Sequence, residues 1–573
     1  MRPLLLFAFP ASLLLLQIVA AQMADLDLWG RLSVGAVLFQ AGHLPRIDDF
    51  SYTAAGAPWI DHEWLAGVVF YGLLLVGEPA LVLFKYAAAL LALLLVFVLH
   101  GSVYRTSLVP AAWTLALLSP VLRLGFGTTV RAQVFSIVLF VLFLLMLERV
   151  RLGRSGLRAL LGLLPIGAVW GNLHGGFVMG VLALGCYAAA EAVGGRIGRA
   201  AGHALAAAGI FVSVAFANPY GPAYLGFLLH AWTLDRSHIV EWRPLLDGFP
   251  ALSFETAIAA TAALVAAGLA FLGIVGALRE RWAALRERGG WSAIHAPERE
   301  RLAGSLVLVL TVVMTLLAVR IAPFLGLALA SYLPLFARRD PAVREAASQA
   351  GARSLAIPAW LHRPLGVWIP AAATAAALVG LALQDRPLLR TLVPHEDTRG
   401  ESLPKQYPVG AAEFLLASSS SGKLLAPFNK GQFLYWTLYP RFRVAMDGRY
   451  EEVYTQAQFR EVHRFYRRRK TEPAGAVVGD AERSGADFVL CPSRWSAKPV
   501  LARSDRFDLV YDDGTFALLA RTDGPGPLPR FQPRAQGARR PPVTIATVFA
   551  SGGGGRFAGY PRSAAGRLPN RSQ

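Results

Sequence analysis

Long apolar runs separated by short polar breaks fill the first two-thirds of this chain, and the pattern then changes. A helix needs about 20 mostly apolar residues to cross the hydrocarbon of a bilayer. Leu81 to Leu99, Ala257 to Leu278 and Leu365 to Leu383 meet that requirement. Reading the other runs in the same way predicts about eleven spans, near residues 3–22, 79–99, 107–122, 132–148, 157–171, 175–192, 203–217, 254–278, 302–319, 321–337 and 364–384. From Pro404 to Arg521 the runs shorten. Lys423 to Pro427, Phe442 to Met446, Asp487 to Cys491 and Phe516 to Ala520 read as strands, and Thr455 to Arg469 and Ala474 to Ser484 as helices. Strands alternating with helices over about 120 residues predict a small α/β domain able to bury its own core.

The expected fold class is therefore an all-α polytopic membrane bundle followed by a small extracytoplasmic α/β domain. The bundle covers residues 1–384 and carries an outer loop at 24–63; the α/β domain covers 385–521. Residues 522–573, rich in Pro, Gly, Ser and Arg, read as a disordered basic tail, because such a composition buries too little apolar surface to offset its ordering entropy.

Composition sharpens the membrane reading. Of 573 residues 55% are hydrophobic and 16% charged, against roughly a quarter charged in soluble domains. The net charge of +19 would suggest nucleic acid in a soluble protein. Here the arginines sit in short loops between apolar runs and in the tail, which is the positive-inside signature, so no nucleic-acid partner is expected. Two cysteines, Cys186 and Cys491, support neither a disulfide framework nor a thiolate metal site.

The arginines also orient the chain. Arg149, Arg151, Arg154 and Arg158 share one loop, and Arg196 and Arg199 another; the stretches 279–301 and 338–363 are equally basic. All four are cytoplasmic under the positive-inside rule if Trp64 to Gly77 lies along the interface instead of crossing. The N-terminus is then cytoplasmic in an inner membrane, although Met1 to Met23 also fits a cleaved signal peptide. With this orientation Asp25, Asp27, His62, Glu63, Asn172, His174, Asn218, His230, Glu241 and Arg320 all fall on the outer side. Uncommon polar groups gathered on one side of a bundle point to a site there.

Each of these residues has a chemical reading and a plainer one. Asp25 and Asp27, at i, i+2 spacing, can share a divalent cation, or one can act as a base; acids also often cap loops near membranes. His62 and Glu63, between Trp59 and Trp64, can complete a metal site or orient a substrate, or belong to an aromatic belt. His174 in Trp170-Gly171-Asn172-Leu173-His174-Gly175-Gly176 reads as a ligand, an acid–base group or a turn histidine. Asn218-Pro219-Tyr220-Gly221 and Glu241-Trp242-Arg243-Pro244 read as shapers of a cavity. Arg123, Arg131 and Arg320 stand on the side where the charge rule disfavours them, which suits phosphate binding or snorkelling; phosphate is favoured for Arg131 and Arg320. Asp447 and Arg449 follow a predicted strand and read as ligand groups or as a structural turn pair.

Asp25-Leu26-Asp27-Leu28-Trp29, Gly42-His43-Leu44-Pro45-Arg46-Ile47-Asp48-Asp49-Phe50-Ser51-Tyr52-Thr53 and His62-Glu63-Trp64-Leu65 occur in order. Asn172 to Gly176, Asn218 to Gly221 and Asp447-Gly448-Arg449 follow. Together they resemble a bacterial family of large membrane proteins regarded as GT-C-type glycosyltransferases, related in plan to oligosaccharyltransferase catalytic subunits and protein O-mannosyltransferases. The resemblance implies many spans, an acid in the first outer loop, an outer soluble domain and a polyprenyl-phosphate sugar donor. It assigns that acid to Asp25 or Asp27, as base or as ligand of Mg²⁺ or Mn²⁺. His62 and Glu63, later in the same loop, are candidates to support that acid or to bind a metal, and with Arg131, His174 and Arg320 they are the expected substrate-binding residues. The paired acids that some such enzymes carry in a later outer loop are missing, since Glu241 stands alone. The expected partners are a lipid-linked sugar donor, a glycan, lipid or protein acceptor, and membrane lipids. The alternative is a non-catalytic scaffold or transporter that displays the soluble domain.

Overall fold

The computed structural model describes residues 2–20, 25–126, 130–234, 240–248, 253–288, 296–337, 363–383, 407–467, 473–524 and 555–561. They fall into two compact units, one of residues 1–22 and 83–390, the other of residues 23–82 and 391–573.

The first unit is helical. Helices stand at every position where the apolar pattern places a span, from Arg2–Ala20 to Ile369–Ala382. By length and composition six of them can cross a membrane, and a bent pair makes a possible seventh. The pair is Val109–Leu117 and Ser119–Phe126, which meet at 61°. Pro120, just inside the second helix, cannot donate to the turn before it and disfavours helical geometry at its predecessor. The other four, Leu157–Leu173, Phe177–Val193, Arg301–Leu317 and Val319–Leu333, are apolar but no longer than 17 residues. The structure thus supports six or seven spans among the described residues, fewer than the eleven the run lengths suggest.

Small residues bring these helices together. Gly167 and Gly171 face Ile210 and Val214, and a Cβ on either glycine would lie 2.7 or 2.6 Å from those side chains. Between helices in lipid, where no hydrophobic driving force separates protein from solvent, such close approach supplies the van der Waals contact that holds the pair. A polar network is buried where Gln133–Arg151 ends. Glu148 accepts from Arg151 Nε (2.8 Å) and from the Tyr187 hydroxyl, which also lies 2.9 Å from the Tyr332 hydroxyl. Every buried charge in it has a partner, as low dielectric demands.

The second unit joins the chain's first loop to its last domain. Strands β1 (Gly422–Leu425), β2 (Phe442–Val444), β3 (Phe488–Pro492), β4 (Phe507–Asp512) and β5 (Phe516–Arg521) form one sheet in the order β2-β1-β3-β5-β4. β1 is parallel to β2 and β3, and β5 runs antiparallel to β3 and β4. Four of the strands stand where the short apolar runs lie. β4 was not expected, because Asp508 and Asp512 interrupt its apolar pattern. The helices Gln456–Tyr466 and Ala474–Arg483 occupy their expected places.

Residues of the first loop pack against this sheet. Ser51 bridges Val444 of β2, with Val444 N–H donating to Phe50 O (3.1 Å) and Tyr52 N–H to Val444 O (3.0 Å), so the loop extends the sheet by a short edge. Trp64–Val76 is a 13-residue helix, about 20 Å long and short of the ~30 Å hydrocarbon thickness. It packs on Leu28–Ala41, with Gly67 set so closely that a Cβ would lie 2.5 Å from Arg31 O. Of the tail, residues 555–561 are described and form turns whose Phe557 and Tyr560 are buried in this unit. The rest of the region read as disordered lies almost wholly outside the described residues.

Candidate functional site

The Asp25-Leu26-Asp27 turn leads directly into the helix Leu28–Ala41. Asp27 occupies the N-cap position yet makes no side-chain capping bond. Its amide N–H donates to Asp25 Oδ1 (2.9 Å), and Leu28 N–H donates to Asp25 O (3.3 Å). The Gln432 amide nitrogen, turned toward the loop, donates to Leu26 O and Asp27 O at 2.8 and 3.2 Å. Two glycines make room for it. A Cβ on Gly30 would lie 2.7 Å from the Gln432 amide, and one on Gly448 2.8 Å from that amide and 3.1 Å from Asp27 Oδ1. Trp29 anchors the turn from below, edge-on to Tyr407 and Phe433 at 5.8 and 5.3 Å. Asp25 is buried and Asp27 half-buried. Burial pushes the Tyr407 phenol up, and the Asp25 and Asp27 charges add to that push.

One turn further along the helix, Arg31 gathers Asp61 and Glu63 of the loop and Glu452 of the α/β domain. Its guanidinium pairs with Asp61, with Glu63 (2.9 Å) and with Glu452 (2.9 Å). His62 Nδ1 lies 2.8 Å from Glu452 and Nε2 3.4 Å from Glu63. The Trp59 indole N–H donates to the second Glu452 oxygen (2.7 Å). Burial raises Asp61 to about 6, although Arg31 pulls it down. Burial alone would lower His62; Glu63 and Glu452 outweigh it and hold the imidazole protonated up to about 10. Burial likewise opposes ionisation of Glu452, but Arg31 and His62 bring it to about 2.

Arg449 is the centre of a second buried pairing. It donates to Asp447 through Nε (2.8 Å) and Nη2 (2.7 Å), and its Nη1 lies 2.7 Å from Asp48. The Tyr454 hydroxyl donates to Asp447 (2.6 Å). The guanidinium lies over Trp59 (4.5 Å), Phe50 (5.2 Å) and Tyr435 (5.2 Å). Asp447 and Arg449 are thus a structural pair that ties the first loop to β2, not groups presented to a ligand.

The cation fit can be judged from these donors. Asp61, His62 and Glu452 offer ligand atoms within 4.8 Å of one another. That space already holds a positive group, since Arg31 engages both carboxylates; a divalent ion would have to displace it against charge repulsion. At Asp25 and Asp27, among the described residues, no third His, Cys, Asp or Glu comes within ligating distance. The Asp61, His62 and Glu452 set therefore does not fit Mg²⁺ or Mn²⁺ as it stands, whereas two carboxylates such as Asp25 and Asp27 are a set that Mg²⁺ takes together with waters and phosphate oxygens.

The other expected residues lie in the first unit. Arg131 forks onto Glu241 at 2.5 and 2.8 Å, so its two terminal N–H groups are given to a carboxylate. Arg320 sits over the Trp242 ring at 4.5 Å, and Gln133 Nε2 donates to its carbonyl (2.9 Å). Burial opposes ionisation of Glu241, but the Arg131 and Arg320 charges outweigh it and hold the carboxyl down at about 2. Three residues from separate loops thus converge as one cluster. His174 Nδ1 accepts from Gly176 N–H (2.9 Å) and lies 2.7 Å from the Ser136 hydroxyl, which accepts from the Trp170 indole (2.6 Å). This histidine shapes its turn. Asn218 donates to Asn172 (3.1 Å) and the Tyr224 hydroxyl to Gly171 O (2.8 Å), so the two glycine-bearing segments lock each other. Arg123 pairs with Glu255 (2.5 Å), and His230 is exposed.

Arg31, Asp61 and Glu452 were not selected from the sequence. Asp61 was visible in the His62-Glu63 run. Glu452 had a weaker signal, the charged stretch Asp447 to Glu452 directly after an apolar strand.

The fold and these clusters define a membrane protein of apolar helices with a mixed-sheet domain. No protein-family model and no curated protein matches the chain. Among solved structures it is similar to the crystal structure of the Archaeoglobus fulgidus oligosaccharyltransferase in the apo form, with 12% identity and a TM-score of 0.48 over 86% of this chain and 69% of that one.

Proposed function

We propose that the chain is a membrane glycosyltransferase that moves a sugar from a polyprenyl-phosphate donor to an acceptor outside the cytoplasm, in an inner membrane crossed up to eleven times. The observation that carries the reading is the meeting of Asp27 with Gly448. Two segments of the family-like pattern, some four hundred residues apart in sequence, come together at the first-loop acid, where a Cβ on Gly448 would lie 3.1 Å from Asp27 Oδ1.

Asp25 is buried and spends one oxygen on the Asp27 amide, so it positions the turn. Asp27, half-buried at the start of the helix, is the base. In the transfer the acceptor hydroxyl oxygen bonds to the anomeric carbon as the bond from that carbon to the phosphate oxygen breaks. The electron pair leaves with the phosphate, and the hydroxyl proton passes to Asp27. A departing phosphate is stabilised by fixed positive charge. Arg131 and Arg320 are the residues proposed for it, on the charge pattern of the sequence. Arg31, His62 and Glu63 hold the loop that follows the turn.

The test is turnover of a panel of polyprenyl-phosphate sugars by the purified full chain, beside the Asp25→Asn, Asp27→Asn double variant. One donor should bind saturably and turn over in the wild type, with loss of at least a hundredfold in the variant. Equal turnover by both would remove Asp27 as the base, and no binding across the panel would favour a scaffold.

A further inference from the structure

The short segment 555–561 is anchored by an aromatic pair spaced i, i+3. Phe557 is 1% exposed and Tyr560 3%. The Phe557 ring stacks on Tyr439 (5.6 Å, 10°) and on Trp436 (5.6 Å, 25°). Tyr560 packs on Phe50 at 5.0 Å. Polar bonds fix the register. The Tyr560 hydroxyl donates to Ile47 O (2.7 Å) and accepts from Asp49 N–H (3.1 Å). Phe557 N–H donates to Gln40 Oε1 (3.0 Å), and Arg556 Nη1 donates to Thr437 O (2.7 Å).

These partners come from two places. Gln40, Ile47, Asp49 and Phe50 belong to the first loop and the helix before it; Trp436, Thr437 and Tyr439 belong to the helix Gly431–Leu438 and its end. The segment therefore fills a groove whose walls are the loop and the domain. The loop also has bonds of its own to the domain, from Asp48 to Arg449, from Phe50 and Tyr52 to Val444 and from Thr53 to Ala445. Between Gly42 and Glu63 its ladder pairing is confined to two isolated bridges, Ile47 with Pro58 and Ser51 with Val444.

We propose that this groove is a docking surface for an aromatic i, i+3 pair, and that the chain's own residues 555–561 are its resident ligand: a strap that holds the first loop on the α/β domain. Burial of two aromatic side chains with four directed hydrogen bonds supplies specificity of register. Within the described segment the two buried rings supply most of the apolar contact that attaches it.

Hydrogen exchange on the full chain tests this. In Phe557→Ala, Tyr560→Ala, amides of residues 43–59 should exchange at least tenfold faster while β3 and β5 keep their protection. Tyr560→Phe, which loses the two hydroxyl bonds and keeps the ring, should fall between. In a chain truncated after residue 524, an added peptide of residues 553–563 should restore protection to 43–59, and the same peptide with both aromatics replaced by Ala should not. Unchanged exchange at 43–59 in the double variant overturns the proposal. So does equal loss of protection across β3 and β5, which would make the segment part of the core, and so does failure of the peptide to restore protection.

Discussion

Arg31 shows how much a single side chain decides. Three carboxylates and an imidazole surround it, all buried or nearly so. Removing one partner of such a group leaves uncompensated charge and typically costs about 3–5 kcal/mol. Arg31→Ala should destabilise the protein by that order in a denaturant titration. It should also free Asp61, His62 and Glu452 to take a divalent ion, so Mn²⁺ should raise the melting temperature of Arg31→Ala and leave the wild type unmoved. A wild type that gains as much from Mn²⁺ would show that the guanidinium does not fill the cation position. His62 gives a pH signature. An unfolded histidine titrates near 6.5, whereas His62 stays protonated to about 10. The folded state holds the extra proton over that interval, so this stabilisation is whole below about pH 6.5 and lost as pH rises toward 10. Melting temperature should fall between pH 6.5 and 10, and His62→Gln should flatten the fall; an unchanged slope would reject the pairing. Gly448→Ala puts a methyl against Gln432 and Asp27, an overpacking of about 1–3 kcal/mol, and should cut transfer activity more than Gly475→Ala, where the added Cβ meets open space.

At the level of elements, close approach and capping do work that apolar content cannot. Gly167→Val with Gly171→Val would drive side chains into Ile210 and Val214. The expected result is loss of the helix pairing, read as a lowered unfolding temperature in detergent. An unaltered temperature would mean the contact is not needed. In the α/β domain, Thr455 and Gln458 form a reciprocal capping box at the start of Gln456–Tyr466; Thr455→Ala should cost about 1 kcal/mol. Neither device depends on hydrophobic periodicity, which is why the helices were legible from the sequence while their partners were not. The bent pair at Ser119 shows the limit from the other side. One apolar run suggested one straight span, and Pro120 split it.

For the whole molecule, the arginine distribution gives a sidedness that labelling can check. With a membrane-impermeant maleimide on intact cells, a cysteine at Asp505 (D505C) should react and one at Arg154 (R154C) should react only after permeabilisation. Labelling of both from the same side would reject the proposed orientation. The sequence by itself determined the apolar helices, the change to a small α/β domain after them, and four of the five strands, because periodicity and hydrophobic run length are local properties of the chain. It also marked Asp25, Asp27, His62 and Glu63 as unusual. Only the tertiary structure decided what those residues meet: Gly448 beside Asp27, Arg31 among Asp61, Glu63 and Glu452, Arg449 between Asp48 and Asp447, and Tyr560 on Phe50. The reason is physical. A buried charge or aromatic ring is satisfied by whatever partner the fold delivers, and across some four hundred residues of intervening chain no spacing rule records which partner that is.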